Sequence, residues 1–150
     1  GHVGLGLITD HLNLTGANPL VEDEDLACVD SPFVGMTDAY TPYLRELAAD
    51  VAQQEHIELQ QGVYAGLLGP SFETAAEVAA LGCLGASFAG MSLVCEAIMA
   101  HALGMNVLGL TLAANMAGET GVTHESVLEV AAQHEADFER LVRGVLARLK

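Results

Sequence analysis

"GVYAGLLGPSFETAAEVAALGCLGASFAGMS", residues 62–92, decides the fold. An apolar run breaks at Gly69-Pro70, a helical pattern opens at Thr74, and a second apolar run, "ASFAGM" (86–91), follows. Thr74 and Glu77 stand at capping-box spacing, which marks the start of a helix over 74–85. Strand, helix, strand in so few residues is the unit of a parallel sheet. Working outward, the first strand of this unit begins further back, over 57–69, where alternation gives way to an apolar run.

The same alternation continues on both sides. "VGLGLI" (3–8) reads as a buried strand, "DHLNLTGANPLVEDEDL" (10–26) as a turn-rich stretch and "DSPFVGMTDAY" (30–40) as a loop. Residues 41–56 read as a helix with Pro42 in its first turn. Residues 92–104 read as another, capped by Ser92 and ended by Gly104; "NVLGLTLAAN" (106–115) is a buried strand. A long helix over 123–149 turns Val127, Ala131, Phe138, Leu141, Val142, Val145 and Leu149 inward. Arg140, Arg143, Arg148 and Lys150 suit its negative end. The expectation is a single α/β domain, residues 1–150, with a mostly parallel or mixed sheet flanked by helices. Gly1 leads straight into a strand, as though the chain were entered midway through a domain, and residues 3–8 are expected to present an open strand edge.

Composition narrows the function. There are 20 Asp+Glu against 5 Lys+Arg, and no cation lies between Arg45 and Arg140. A nucleic-acid face needs clustered cations, so that partner is rejected. Cys28, Cys83 and Cys95 are odd in number and widely spaced, without metal-ligand spacing, and read as free thiols in a reducing compartment. Asp10, His11 and Asn13 interrupt the opening apolar run. With no leader or membrane span, a soluble cytoplasmic protein is expected.

Three strand ends carry polar groups: Phe72-Glu73, Met91-Ser92 and Asn115. If the strands are parallel, all three open on the crevice beyond their carboxyl ends. Each has a plain reading and a chemical one. Glu73 is a carboxylate near the positive end of a helix, or an acceptor for ring N–H groups with Phe72 over the ring face. Ser92 is a helix cap, or that cap together with an oxyanion ligand. Asn115 is a turn residue, or an amide that favours negative charge on a heterocycle. His124 is an exposed first-turn histidine, or a neutral imidazole bonded to a ligand hydroxyl. His11 belongs to a turn, His101 is buried or half-buried in its helix and His134 lies on a solvated face. No Ser-His-Asp order, phosphate-binding Walker loop or zinc pattern is present.

The segments "TDHLNLTGANPL", "MTDAY", "GPSFETAAE", "AGMSLVCEAIMAHALGMNVLG" and "AANMA…THESVL" occur in the order and spacing of the trimeric purine nucleoside phosphorylases. Over nearly its whole length the chain resembles the C-terminal half of that family's domain. The resemblance implies phosphorolysis of 6-oxopurine (deoxy)ribonucleosides to free base and (deoxy)ribose 1-phosphate, with inorganic phosphate as co-substrate and no cofactor or metal. Glu73, Asn115 and His124 would carry the chemistry. Glu73 would accept from purine N1–H, Asn115 would bind N7 and O6, and His124 would reach the ribose 5′-hydroxyl. Phe72 would line the base site, Met91 would pack under the ribose, and Ser92 would touch phosphate. Phe33 would reach a neighbouring subunit's site, which implies a homotrimer. Asn rather than Asp at 115 favours guanine or hypoxanthine over adenine.

Leu93, Cys95 and Ala114 depart from the family's usual Thr, Pro and Thr. The family's glycine-rich phosphate loop and its Arg and His phosphate ligands lie upstream of the matching region. The alternative expectation is therefore a non-catalytic purine-binding fragment or subunit that lacks the phosphate-binding half.

Overall fold

A computed structural model describes residues 3–21, 29, 31–119, 121 and 123–149, without the side chain of residue 124. Cys28, Lys150, residues 22–26 of the turn-rich stretch and the His124 side chain thus lie outside the described residues. The elements run β1 (Gly4–Leu14), α1 (Pro42–Gln54), β2 (Leu59–Leu67), α2 (Ala75–Cys83), β3 (Ala86–Gly90), α3 (Val94–Ala102), β4 (Gly109–Ala113) and α4 (His124–Leu146). They build a four-stranded sheet in the order β3-β2-β1-β4. β1, β2 and β3 are mutually parallel neighbours, and β4 runs antiparallel to β1. The sheet is thus mixed, with helices on both faces.

β1 sorts its side chains by alternation. Leu5 and Leu7 enter a cluster with Ala48, Val51 and Ala52 of α1 and with Leu141 and Val145 of α4. Ile8 enters the opposite cluster with Tyr40, Tyr64, Phe88 and, from α3, Val94, Ala97 and Ile98. Residues 5–8 are paired on both sides, by β2 and by β4, and Gly4 pairs with β4, so they are no open edge. Beyond a register shift at Ile8/Asp10 the strand continues along β2 from Asp10↔Val63 to Leu14↔Leu67. The turn expected from residue 10 therefore starts later. Pairing with β2 overrides the turn preference of Asp10 and Asn13, and the Asn13 amide serves the real turn by donating to the Ala17 carbonyl at 2.9 Å.

Two helices also differ from expectation. Ser92 does not cap α3: the helix starts at Val94, and the N-cap position is Leu93, with no side-chain cap. In α4, Leu141 and Val145 are buried, whereas Phe138 is 41% and Leu149 45% exposed. The inward stripe is narrower than the periodicity implies, because only the C-terminal half of the helix meets α1 and β1 through Leu141 and Val145. The cations near its end behave as expected in part: Arg148 donates to the Gly144 carbonyl at 3.2 Å.

Candidate functional site

Phe72, Glu73, Met91 and Asn115 line one cavity of about 440 Å³. Each arrives by a local device. Ahead of α2, the Thr74 N–H donates to Glu77 Oε2 at 2.7 Å, and the Glu77 N–H donates to Thr74 Oγ1 at 3.3 Å. This capping box fixes the helix start and leaves Glu73 one residue outside it. The Thr74 N–H, and with it the Thr74 hydroxyl, which donates to Glu77 Oε2 at 2.8 Å, hold the Glu77 carboxyl below the usual carboxylate range. Glu73 is half-buried and makes no hydrogen bond or ion pair among the described residues. Its acceptor capacity faces the cavity unused. Phe72 is 52% exposed beside it.

Met91 follows β3 and lies against Gly69, where an added Cβ would overlap the Met91 sulfur. Gly69 has φ 66, a conformation that suits glycine. Asn115 follows β4, half-buried, and its Nδ2 donates to the Met116 carbonyl at 3.2 Å.

β3 and β4 are the two outer strands, so a flat sheet would hold Met91 and Asn115 apart. Curling brings them together. A Cβ on Gly6 would lie 2.6 Å from the Phe88 ring and 2.7 Å from Thr111 Cγ2, so β3 and β4 side chains meet above that bare position on β1. Gly62 similarly leaves room for Ser87. Sequence reasoning missed Gly6 and Gly62 as site-forming residues. Their signal is glycine inside an apolar strand, which marks a close approach.

Ser92 is not in this cavity. It lines a second one, of about 420 Å³, with Tyr40, Glu96, Val107 and Leu110. All three strand ends thus reach the first cavity, through Phe72-Glu73, Met91 and Asn115, although β4 is antiparallel; the exception to the expected single crevice is Ser92, which the turn after β3 carries into the second. The Ser92 N–H donates to the Tyr64 hydroxyl at 3.4 Å. Glu96 in this cavity opposes an anion there. Phe33 is 92% exposed and lines neither cavity.

His11 belongs to β1, not to a turn, and its Nδ1 shares a 2.9 Å hydrogen bond with the Tyr40 hydroxyl. Burial lowers the His11 pKa, with Asp10 opposing. Burial, then Asp10 and Tyr64, push the Tyr40 phenol well above its ordinary range. Both partners are therefore neutral, and which of them donates is set by the imidazole tautomer. His101 is half-buried, as expected, and its Nε2 lies 2.9 Å from the Gly35 carbonyl. His134 is half-buried rather than on a solvated face. Among the described residues, no helix is long and apolar enough to cross a membrane.

The arrangement offers an aromatic face, an unengaged carboxylate and an amide around one concave space. Those groups fit a flat heterocycle with N–H donors and carbonyl acceptors. Residues 5–147 match the model of the phosphorylase superfamily. The purine nucleoside phosphorylase of Mycobacterium tuberculosis is 47% identical over 145 residues, which cover 95% of this chain and 50% of that protein. Purine nucleoside phosphorylase 1 of Geobacillus stearothermophilus is 38% identical, over 97% of this chain and 54% of that one. The Schistosoma purine nucleoside phosphorylase solved with hypoxanthine superposes with a TM-score of 0.92 at 29% identity, covering 100% of this chain and 57% of that one. The chain spans about half the length of the curated relatives it matches.

Proposed function

We propose, from the premise that this chain belongs to the phosphorylase superfamily and within it to the purine nucleoside phosphorylases, that its larger cavity holds the base of a 6-oxopurine nucleoside. The observation that carries the reading is the convergence of Phe72, Glu73, Met91 and Asn115 on one cavity. Phe72 covers the ring. Glu73 accepts the N1–H, Asn115 engages N7 and O6, Met91 packs under the ribose, and His124 reaches the 5′-hydroxyl. The reaction is phosphorolysis of inosine or guanosine, a pentosyl transfer to inorganic phosphate that uses no cofactor. The C1′–N9 bond breaks as phosphate oxygen bonds C1′, and the electron pair leaves with the purine. Hydrogen bonds at N7 and O6 stabilise that negative charge, and N1–H held on Glu73 fixes the ring. In this reading Ser92 contributes to phosphate and the protein works in the cytoplasm. Phe33, exposed as it is, reaches the neighbouring site of a homotrimer.

A second reading has its own support. No cation stands between Arg45 and Arg140, and Ser92 lines a different cavity from the base-site residues. A purine-binding half that depends on a complementary half for phosphate fits both facts. Calorimetry with hypoxanthine and a phosphate-dependent inosine cleavage assay decide the matter. Binding with turnover supports the enzyme, and binding without turnover supports the second reading. Absence of both overturns the purine site.

A further inference from the structure

Tyr64, on β2, is 3% exposed and packs with Phe88 and Val94. Its ring alone would serve that packing, yet it carries a hydroxyl to the turn after β3. There Oη accepts the Ser92 N–H at 3.4 Å. A Cβ on Gly90 would overlap the same oxygen, so the bare Gly90 is what admits the phenol. The next residue, Leu93, has φ 74 and ψ −42, and the Val94 N–H donates back to the Ser92 carbonyl at 2.8 Å. This is a γ-turn of positive φ, a rare and unfavourable conformation for a residue with a Cβ, and it persists only where its surroundings hold it. Met91, between Gly90 and Ser92, lies on Gly69, in the loop that leads to Phe72 and Glu73.

We infer that Tyr64 is a positioning residue for the base cavity: its buried hydroxyl holds the 90–92 turn, and through Met91 on Gly69 that turn sets the place of the Phe72–Glu73 loop. The ligand readout rests on the purine reading above; the mechanical link does not. Tyr64→Phe in the 150-residue chain removes the hydroxyl and keeps the ring. Backbone amide exchange by NMR is expected to speed up at Ser92 and at Phe72 and Glu73 by about tenfold. Hypoxanthine Kd is expected to rise about tenfold, a change in binding free energy of about 1.4 kcal/mol. The thermal midpoint should scarcely move, because packing is retained. Glycine accepts positive φ without the clamp, so adding Leu93→Gly to Tyr64→Phe should restore most of the lost affinity. Unchanged exchange at Phe72 and Glu73, or unchanged Kd in a chain that binds hypoxanthine, overturns the inference. If the wild-type chain binds no hypoxanthine, the purine reading falls, and amide exchange alone then decides the clamp.

Discussion

Glu73 and Asn115 differ in how much their surroundings already use them. The Asn115 amide donates to Met116, while Glu73 has no partner among the described residues. A half-buried carboxylate without a partner is costly to keep unless something else engages it. Glu73→Gln should therefore weaken hypoxanthine binding by about 1.5–3 kcal/mol, the range for a hydrogen bond to a charged group. Calorimetry giving equal affinity for both forms would remove Glu73 from the site. Asn115→Asp tests the other edge of the ring: an acceptor-only group at N7 and O6 should shift preference from hypoxanthine toward adenine, read as a ratio of affinities. At His11 the prediction concerns pH. Its folded pKa lies below the ordinary 6.5, so the unfolded chain takes up the proton more readily. Its contribution is full above about pH 6.5 and is lost as pH falls through that value toward the depressed one. Protonation also leaves Nδ1 able only to donate to the Tyr40 hydroxyl. His11→Gln should flatten this part of the acid-side decline in thermal midpoint between about pH 7 and 5. An identical decline in both proteins would place the acid sensitivity elsewhere.

Elements were legible where local chemistry and tertiary pairing agree. The Thr74–Glu77 box, α1 behind Pro42 and the positive-φ Gly104 after α3 stand where sequence signals put them. Thr74→Ala should cost about 1 kcal/mol, read by denaturant melts, since the cap bond to the Glu77 N–H is lost. β1 was half legible. Asp10 and Asn13 look like a stop, but the pairing that carries the strand to Leu14 comes from β2, more than forty residues away, and periodicity cannot show it. The reversed direction of β4 is likewise a matter of partner, not of local pattern. Ser92 misled because Ser is the commonest kind of helix cap, while the turn it sits in is imposed by Tyr64. Gly6 shows the same limit at the level of the site. Gly6→Val would force a branched side chain against Phe88 and Thr111, where even a Cβ is too close. Overpacking of this kind costs about 1–3 kcal/mol and would part the two outer strands, so stability and hypoxanthine affinity should fall together. Lower stability with unchanged affinity would show that the curl does not build the cavity.

At the scale of the whole molecule, charge is the dominant long-range term. The net charge is −15, and the cations of α4 are already engaged locally: Arg140 with Asp137 at 2.8 Å and with Glu55, and Arg143 with Glu139 at 2.7 Å. Most carboxylates are therefore left to repel one another across the folded surface, which destabilises a compact state more than an expanded one. Salt acts on both terms. Between about 0.01 and 0.15 M the Debye length shrinks from roughly 30 to 8 Å, which screens the diffuse repulsion. The exposed pairs weaken too, but such pairs contribute only about 0–1 kcal/mol each. Repulsion among the excess carboxylates outweighs them, so the thermal midpoint should rise over this range of NaCl. The same field acts on ligands according to their charge. Hypoxanthine is neutral and should bind with little dependence on salt, whereas ribose 1-phosphate must approach against the field and should bind more tightly as salt rises. A midpoint that falls with salt would mean that specific ion pairs, not net repulsion, govern the stability of this acidic half-length chain.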